Sequence, residues 1–221
     1  MMQRFEIDGS GWHTVPGTDK RRPCKFLNRK TTAFYHGDYN SNGDWQKRGT
    51  LANLIWTLKN DVHPFPQNLS NAIEQLKQIL REDFPKILST VGKQQLTICV
   101  VPRAKNEQNY REDQLNFKKS VHEVANELTS FADGTSFIIR RNNTQTTHLE
   151  NGQGGGGDGS SPYPGITEDT CVISDQVRER DILLIDDVYT KDMGIDEDAI
   201  QALLNHGANS VVFYSIGKTL K

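Results

Sequence analysis

The chain has 221 residues, with 26 basic and 28 acidic side chains and a formal net charge of -2, so it lacks the overall positive field typical of nucleic-acid-binding proteins. Its three cysteines, Cys24, Cys99 and Cys171, form no CxxC pair, which disfavours a structural zinc site and a disulfide framework. We find no apolar signal segment and no stretch that could span a bilayer. A cytoplasmic location without a membrane anchor is therefore expected.

Residues 1–90 predict an N-terminal elaboration with two helices. Apolar residues at i, i+3, i+4 and i+7 form one helical face in Leu51–Lys59, and a second amphipathic stripe runs through Leu69–Leu80. Pro85 is expected to interrupt the second pattern. The run 37–49 is rich in turn-forming residues and predicts a loop or a hairpin tip.

Residues 91–221 predict an α/β core, because apolar, β-branched runs alternate with amphipathic ones. The predicted strands are Gln95–Val101, Phe137–Arg140, Thr170–Ser174, Asp181–Ile185 and Ser210–Ile216, and the predicted helices are Gln114–Leu128 and Asp196–Asn205. A doubly wound, mostly parallel sheet follows from this order. The segment 142–165, which contains the run QGGGGDG, predicts a flexible loop.

In a doubly wound sheet, ligands bind beyond the carboxyl ends of the strands. This rule selects the loops Pro102–Tyr110, Arg140–Gly165 and Asp186–Gly194. The last of these begins with Asp186 and Asp187, directly after an apolar strand. Two carboxylates there suit the two hydroxyls of a ribose or the waters of a divalent ion, and the helix that follows offers free N–H groups to a phosphate.

The run ILLIDDVYT, residues 182–190, resembles the fingerprint of type I phosphoribosyltransferases, the segment that binds phosphoribosyl diphosphate (PRPP). Further segments resemble the competence-protein-F (ComF)-like, amidophosphoribosyltransferase-like branch of that family. They are GTLANLIWTLKND, LTICVVPRAKNEQNYREDQLNFKKSVHEVANEL, FIIRRNNTQTTHL and HGANSVVFYSIGKTL. The likeness runs in the family's order from about residue 37 to the end. It implies a type I phosphoribosyltransferase-like fold.

The resemblance also implies residue roles. Asp186 and Asp187 would hold the ribose hydroxyls, directly or through Mg²⁺, and Arg140 and Arg141 would belong to a loop that closes over the substrate. The implied PRPP-binding residues are Arg103, Ala104, Lys105, Val188, Tyr189, Thr190, Lys191 and Gly194. The expected reaction is transfer of the phosphoribosyl group from PRPP, with Mg²⁺, to an amine or a base, releasing pyrophosphate.

The family's phosphate loop continues Thr-Thr-Gly-x-Thr, whereas this chain has Thr190-Lys191-Asp192-Met193-Gly194. An alternative interpretation is therefore a catalytically inactive binding or regulatory module of the same fold, which the ComF-like resemblance associates with DNA uptake or nucleic-acid handling. Net charge does not favour nucleic acid as a ligand. A homodimer or a protein partner stays open, and so does Tyr189, which either contacts ligand or packs on the sheet.

Overall fold

A computed structural model describes residues 2–9, 12–14, 21–23, 27–40, 44–61, 65–144, 166, 170–191 and 194–220, with the backbone alone at 12–14 and 21–23. The strands are β1 (Gln3–Ile7), β2 (Trp12–Thr14), β3 (Arg21–Pro23), β4 (Thr31–Tyr39), β5 (Leu96–Val100), β6 (Phe131–Asp133), β7 (Ile138–Arg140), β8 (Cys171–Ile173), β9 (Asp181–Tyr189) and β10 (Ser210–Thr219). The helices are α1 (Leu51–Lys59), α2 (Pro66–Val91), α3 (Asn116–Glu127) and α4 (Ile195–Asn205).

Six strands form the central sheet in the order β1-β4-β10-β9-β5-β6. All neighbours pair in parallel except β1 and β4, which are antiparallel. Strand β9 has neighbours on both sides, and its residues 182–185 are fully buried, as expected for a parallel strand covered on both faces. The predicted α/β fold with a mostly parallel sheet is therefore confirmed. Strands β1 and β4 come from the segment predicted as an elaboration.

Helices cover both faces of this sheet. The apolar sides of α1, α2 and α3 pack against one face, in a core that includes Ile55, Leu76, Phe84 and Val124. Helix α4 packs on the other face, where Ile200 and residues of the β7–β8 pair share a second core with the sheet. Among the described residues no helix is long and apolar enough to cross a bilayer.

Two helix predictions have different outcomes. Helix α1 begins and ends at the predicted residues, and the Thr50 hydroxyl caps it by accepting a hydrogen bond from the Asn53 amide. Pro85, however, lies inside α2, so the predicted interruption there is wrong. The helix continues because Phe84 and Ile87 are buried against the sheet, and their burial offsets the roughly 3 kcal/mol that an interior proline costs.

Strand lengths and partners also depart from the sequence patterns. Strand β4 runs to Tyr39, into the predicted loop, and β9 runs to Tyr189, so Asp186 and Asp187 lie within the strand. Both extensions occur because β10 pairs with each strand along this length. The predicted strand Phe137–Arg140 is outside the central sheet, because β7 pairs with β8. Of the predicted loop 142–165, only residues 142–144 are described.

A buried carboxylate joins three of these elements. Asp83 in α2 is only 1% exposed, and its Oδ2 accepts hydrogen bonds from His36 Nδ1 of β4 (2.8 Å) and from the Tyr214 hydroxyl of β10 (2.9 Å). Burial acts to raise the pKa of Asp83, but the bonds from His36 and Tyr214 outweigh it, so the pKa lies below its ordinary value. This hydrogen-bond network therefore stabilises the fold when the Asp83 carboxyl is ionised.

We expect Asp83→Asn to lower the unfolding free energy by about 2 kcal/mol at neutral pH, because hydrogen bonds to a buried charge are lost. A group whose pKa is lowered by folding contributes stability above its unfolded pKa and loses it as pH falls through the folded pKa. The gap between wild type and variant should therefore close between about pH 5 and about pH 3, in urea denaturation. Glu82→Gln, an exposed neighbour, serves as control. An equal gap at every pH would contradict the role given to Asp83.

Candidate functional site

A cavity of about 140 Å³ lies at the carboxyl ends of β5 and β9. Helix α1 closes one side of it and the N-terminus of α4 closes the other. Its polar lining residues are Lys59, Asp61, Arg103, Tyr110, Gln114, Arg140, Thr144, Asp186, Asp187, Thr190 and Asp196. Its apolar lining residues are Ile55, Leu58, Val101, Pro102, Ala104, Phe117, Val188 and Ile195.

The adjacent acids Asp186 and Asp187 make different contacts. Asp187 Oδ2 lies 3.1 Å from Lys59 Nζ, at the last residue of α1. Asp186 Oδ1 accepts a hydrogen bond from the Asp187 amide at 2.7 Å, and its carboxyl group is hydrogen-bonded to that of Asp196 in α4. Asp187 therefore has a basic partner, whereas Asp186 contacts another acid, Asp196.

Asp186, which is half-buried, and Asp196, which is buried, form a carboxyl pair. Asp196 is 3% exposed. Burial, followed by the charge of Asp187, raises the pKa of Asp186, and burial, followed by the charge of Asp186, raises that of Asp196. Two carboxyl groups this close cannot both ionise without cost, so they hold a proton between them. Asp196 Oδ1 has no hydrogen-bond partner within the described residues.

The first turn of α4 is acidic, with Asp196, Glu197 and Asp198 in succession and all three buried. Gly194 caps it with a φ of 72°, a left-handed conformation that favours glycine. Acids at this position stabilise the helix dipole, yet they repel a phosphate. Lys191 does not line the cavity, and its Nζ lies 3.9 Å from Asp8 Oδ1.

Tyr189 packs on the sheet and does not line the cavity. Its hydroxyl donates to Glu197 Oε1 at 2.8 Å, and its ring contacts those of Phe5 and Phe213. Burial, together with the nearby Glu197 carboxylate, raises the pKa of Tyr189. Of the two interpretations of Tyr189 from sequence, packing is the one that the structure supports.

The guanidinium of Arg103 makes several hydrogen bonds within the protein. Its Nη1 donates to the carbonyls of Lys59 (3.0 Å) and Gln114 (2.9 Å), and its Nη2 lies 2.9 Å from Asp61 Oδ1. The guanidinium also stacks over the Tyr110 ring, with 4.4 Å between Cζ and the ring centroid. Arg103 therefore fastens the C-terminus of α1 to the loop after β5.

The two arginines expected in the closing loop differ in position. Arg140 lines the cavity, is 1% exposed and donates from Nε to the Arg103 carbonyl at 3.1 Å. Arg141 is exposed and does not line the cavity. A guanidinium as buried as that of Arg140 is costly unless it is paired. Its bond to the Arg103 carbonyl therefore makes Arg140 a fixed part of the cavity lining.

The loop after β5 uses part of its backbone internally. The Lys105 amide donates to the Tyr110 hydroxyl (3.1 Å), and the Ala104 carbonyl accepts from the Thr144 amide (2.7 Å). The Asn106 amide donates to Asn143 Oδ1 at 2.8 Å. The amides of Lys105 and Asn106 are therefore used within the protein. Recognition of a diphosphate here would depend on the remaining groups of the loop.

Of the residues predicted from sequence, those that line the cavity are Arg103, Ala104, Arg140, Asp186, Asp187, Val188 and Thr190, and those that do not are Lys105, Arg141, Tyr189, Lys191 and Gly194. Residues 192–193 lie outside the described part of the chain. The prediction missed Lys59 and Asp61, although the end of a helix followed by an acid was visible in the sequence. Asp196 was predicted only as the first residue of a helix, and no sequence signal showed that it is buried.

Within the described residues no three His, Cys, Asp or Glu side chains are arranged to hold a metal ion. The carboxylate oxygens of Asp186, Asp187 and Asp196 do line the cavity. Such oxygens suit Mg²⁺, which proteins often bind through one or two carboxylates together with the phosphates of a substrate.

Comparison of the chain with models of known protein families and with curated proteins finds no match.

We expect Asp196→Asn to raise the unfolding free energy by about 1–2 kcal/mol at neutral pH, because it removes a buried carboxyl whose ionisation is costly. Asp181→Asn gives a matched comparison at the other end of β9. Asp181 interacts with Lys93, Asn209 and Ser210, which lower its pKa against the effect of burial. That variant should lose stability. Thermal and urea unfolding without divalent cations measure both, and a loss of stability in Asp196→Asn would contradict the energetic cost assigned to the Asp196 carboxyl.

We expect Arg103→Lys to lower the unfolding free energy by about 1–3 kcal/mol, because a lysine cannot reproduce the forked contacts of the guanidinium. Urea denaturation without ligand measures the effect. The control is Arg48→Lys, at an exposed position. Unchanged stability in Arg103→Lys would show that this arginine does not fasten α1.

Proposed function

We propose that this protein binds PRPP with Mg²⁺ and transfers its phosphoribosyl group to an amine or a base, releasing pyrophosphate. The observation that carries the proposal is the position of two adjacent carboxylates, Asp186 and Asp187, at the carboxyl end of the buried strand β9. They line a cavity beside the N-terminus of α4. Ligands of doubly wound sheets bind at this end of the strands.

Asp186 and Asp187 are the groups that would accept hydrogen bonds from the ribose hydroxyls. The ion pair with Lys59 fixes the Asp187 carboxylate at the cavity wall, so little ordering is needed when a sugar binds. Thr190 lines the same wall and offers a hydroxyl to the 5-phosphate. These non-covalent contacts would orient the ribose in the cavity.

Two basic side chains, those of Arg103 and Arg140, also line the cavity. Arg140 is buried in the lining, and Arg103 holds the adjoining loop in place. A buried guanidinium favours the charge that develops on a leaving pyrophosphate, because the low dielectric of the site strengthens their attraction. Mg²⁺ bound with PRPP through Asp186 or Asp187 would neutralise part of the same charge.

The second candidate is a binding or regulatory module without catalysis, and three observations favour it. The buried acids at the N-terminus of α4 repel a 5-phosphate, and Lys191 lies beside Asp8. Amides of the loop after β5 are used within the protein. The cavity of about 140 Å³ is below the roughly 300–1,000 Å³ of most ligand pockets, so PRPP would require the walls to separate.

Titration calorimetry with PRPP tests the proposal. The wild type should bind one PRPP per chain in the presence of Mg²⁺, and binding should weaken by at least about tenfold when Mg²⁺ is chelated. Asp187→Asn combined with Asp186→Asn should abolish binding, because the ribose contacts are removed. The control is Asp181→Asn, which leaves the cavity unchanged.

The two candidates separate once binding is measured. Pyrophosphate release from PRPP with any amine or base supports the transferase. Binding without turnover across a broad panel of acceptors supports the module instead. Absence of PRPP binding at millimolar concentration would contradict both the transferase and a PRPP sensor.

A further inference from the structure

Several buried oxygen atoms near the start of α4 have no hydrogen-bond partner in the described part of the chain. They include Asp196 Oδ1, Glu197 Oε2 and Ser215 Oγ, on residues that are no more than 3% exposed. Buried polar atoms in proteins are nearly always hydrogen-bonded, since an unpaired one costs about 1–3 kcal/mol. These unpaired oxygens therefore indicate a partner that the described part of the protein does not supply.

Two strands and a helix place Ser215, Asp186 and Asp196 on the same face of the sheet. Ser215 on β10 is the register partner of Asp186 on β9. Partners in a parallel pair point to the same face, and Phe213, two residues before Ser215, belongs to the core on the α4 side. Asp196 approaches from α4 and is hydrogen-bonded to Asp186. Asp186 and Asp196 also line the cavity, which gives an ion a path to them.

The basic groups nearby are already engaged with other acids. Lys59 Nζ is 3.1 Å from Asp187 Oδ2, and Lys191 Nζ is 3.9 Å from Asp8 Oδ1. The charge around Asp186 and Asp196 is therefore mostly negative. All the candidate ligand atoms are oxygens, which are the donors that hard divalent cations prefer.

We propose that Asp186 and Asp196 bind a hydrated divalent cation in the absence of any phosphorylated ligand, with the Ser215 hydroxyl supporting the ion or one of its waters. Two carboxylates suffice for such an ion, because Mg²⁺ and similar cations keep several of their waters in proteins. This cation is resident, in contrast to Mg²⁺ that enters with PRPP. Its binding does not depend on the proposed transferase activity.

A resident cation would change the chemistry of the α4 N-terminus. Without it, the acids of the first turn repel a phosphate. With it, the carboxylates are neutralised, and the ion presents positive charge to the cavity. The altered loop would then bind a phosphate through the cation in place of the hydroxyls that the family uses, a consequence that rests on the proposed function.

Titration of the full chain with Mn²⁺ alone, followed by electron paramagnetic resonance and calorimetry, tests the inference. The wild type should bind one Mn²⁺ per chain, and Mg²⁺ should compete with it. Asp196→Asn should lose saturable binding, and Ser215→Ala should weaken it by about tenfold, as expected for a supporting group. Circular dichroism checks that each variant is folded.

The matched control is Asp181→Asn, on the same strand but at its opposite end, which should bind Mn²⁺ like the wild type. Unsaturable binding to the wild type, or equal affinity in Asp196→Asn, would overturn the inference and indicate that water satisfies these oxygens. Asp187→Asn separates the two proposals, because it should keep Mn²⁺ and lose PRPP. Mn²⁺ binding without PRPP binding would support the cation site and count against the transferase.

Discussion

The burial of strand β9 is the constraint on which the rest of the structure depends. Residues 182–185 are fully buried between β10 and β5 and between helices on both faces. Such a strand gains stability from its apolar side chains, so polar residues can follow only at its carboxyl end, where the packing opens. Asp186 and Asp187 lie at that end, and the cavity forms around them. The position of the site is therefore a consequence of core packing.

Stability and function oppose one another around these acids. Asp187 is paired with Lys59, whereas Asp186 and Asp196 contact each other in the cavity lining. Burial and the charge of Asp187 raise the pKa of Asp186, and burial and the charge of Asp186 raise that of Asp196. A protein kept for stability alone would place neutral groups there. Retention of unfavourable buried charge is common where a ligand is bound. Asp186, one of the acids that weaken the fold, is used by both proposals.

The arginines show how one residue type takes different roles in one site. Arg103 is committed to carbonyls of α1 and of the loop before α3, to Asp61 and to the Tyr110 ring, so it maintains the cavity wall. Arg140 is buried in the lining and supports the same loop through the Arg103 carbonyl. Arg141 points to solvent. Adjacent basic residues with the same sequence signal therefore differ: Arg140 is the buried last residue of β7, and Arg141 follows the strand and is exposed.

The sequence by itself determined the elements whose signal is local. The apolar stripe of α1, the apolar run of β9 and the two acids after it predicted the α/β class, the mostly parallel sheet and the edge where the cavity lies. Only the tertiary structure decided which charges meet. The sequence predicted Asp196 as the first residue of a helix and Lys59 as the last residue of another, and packing placed them beside Asp186 and Asp187. Pairing with β10 likewise lengthened β4 and β9, and burial of Phe84 carried α2 through Pro85. These outcomes depend on contacts between residues far apart in the chain, whose energies exceed local preferences and leave no periodic trace in the sequence.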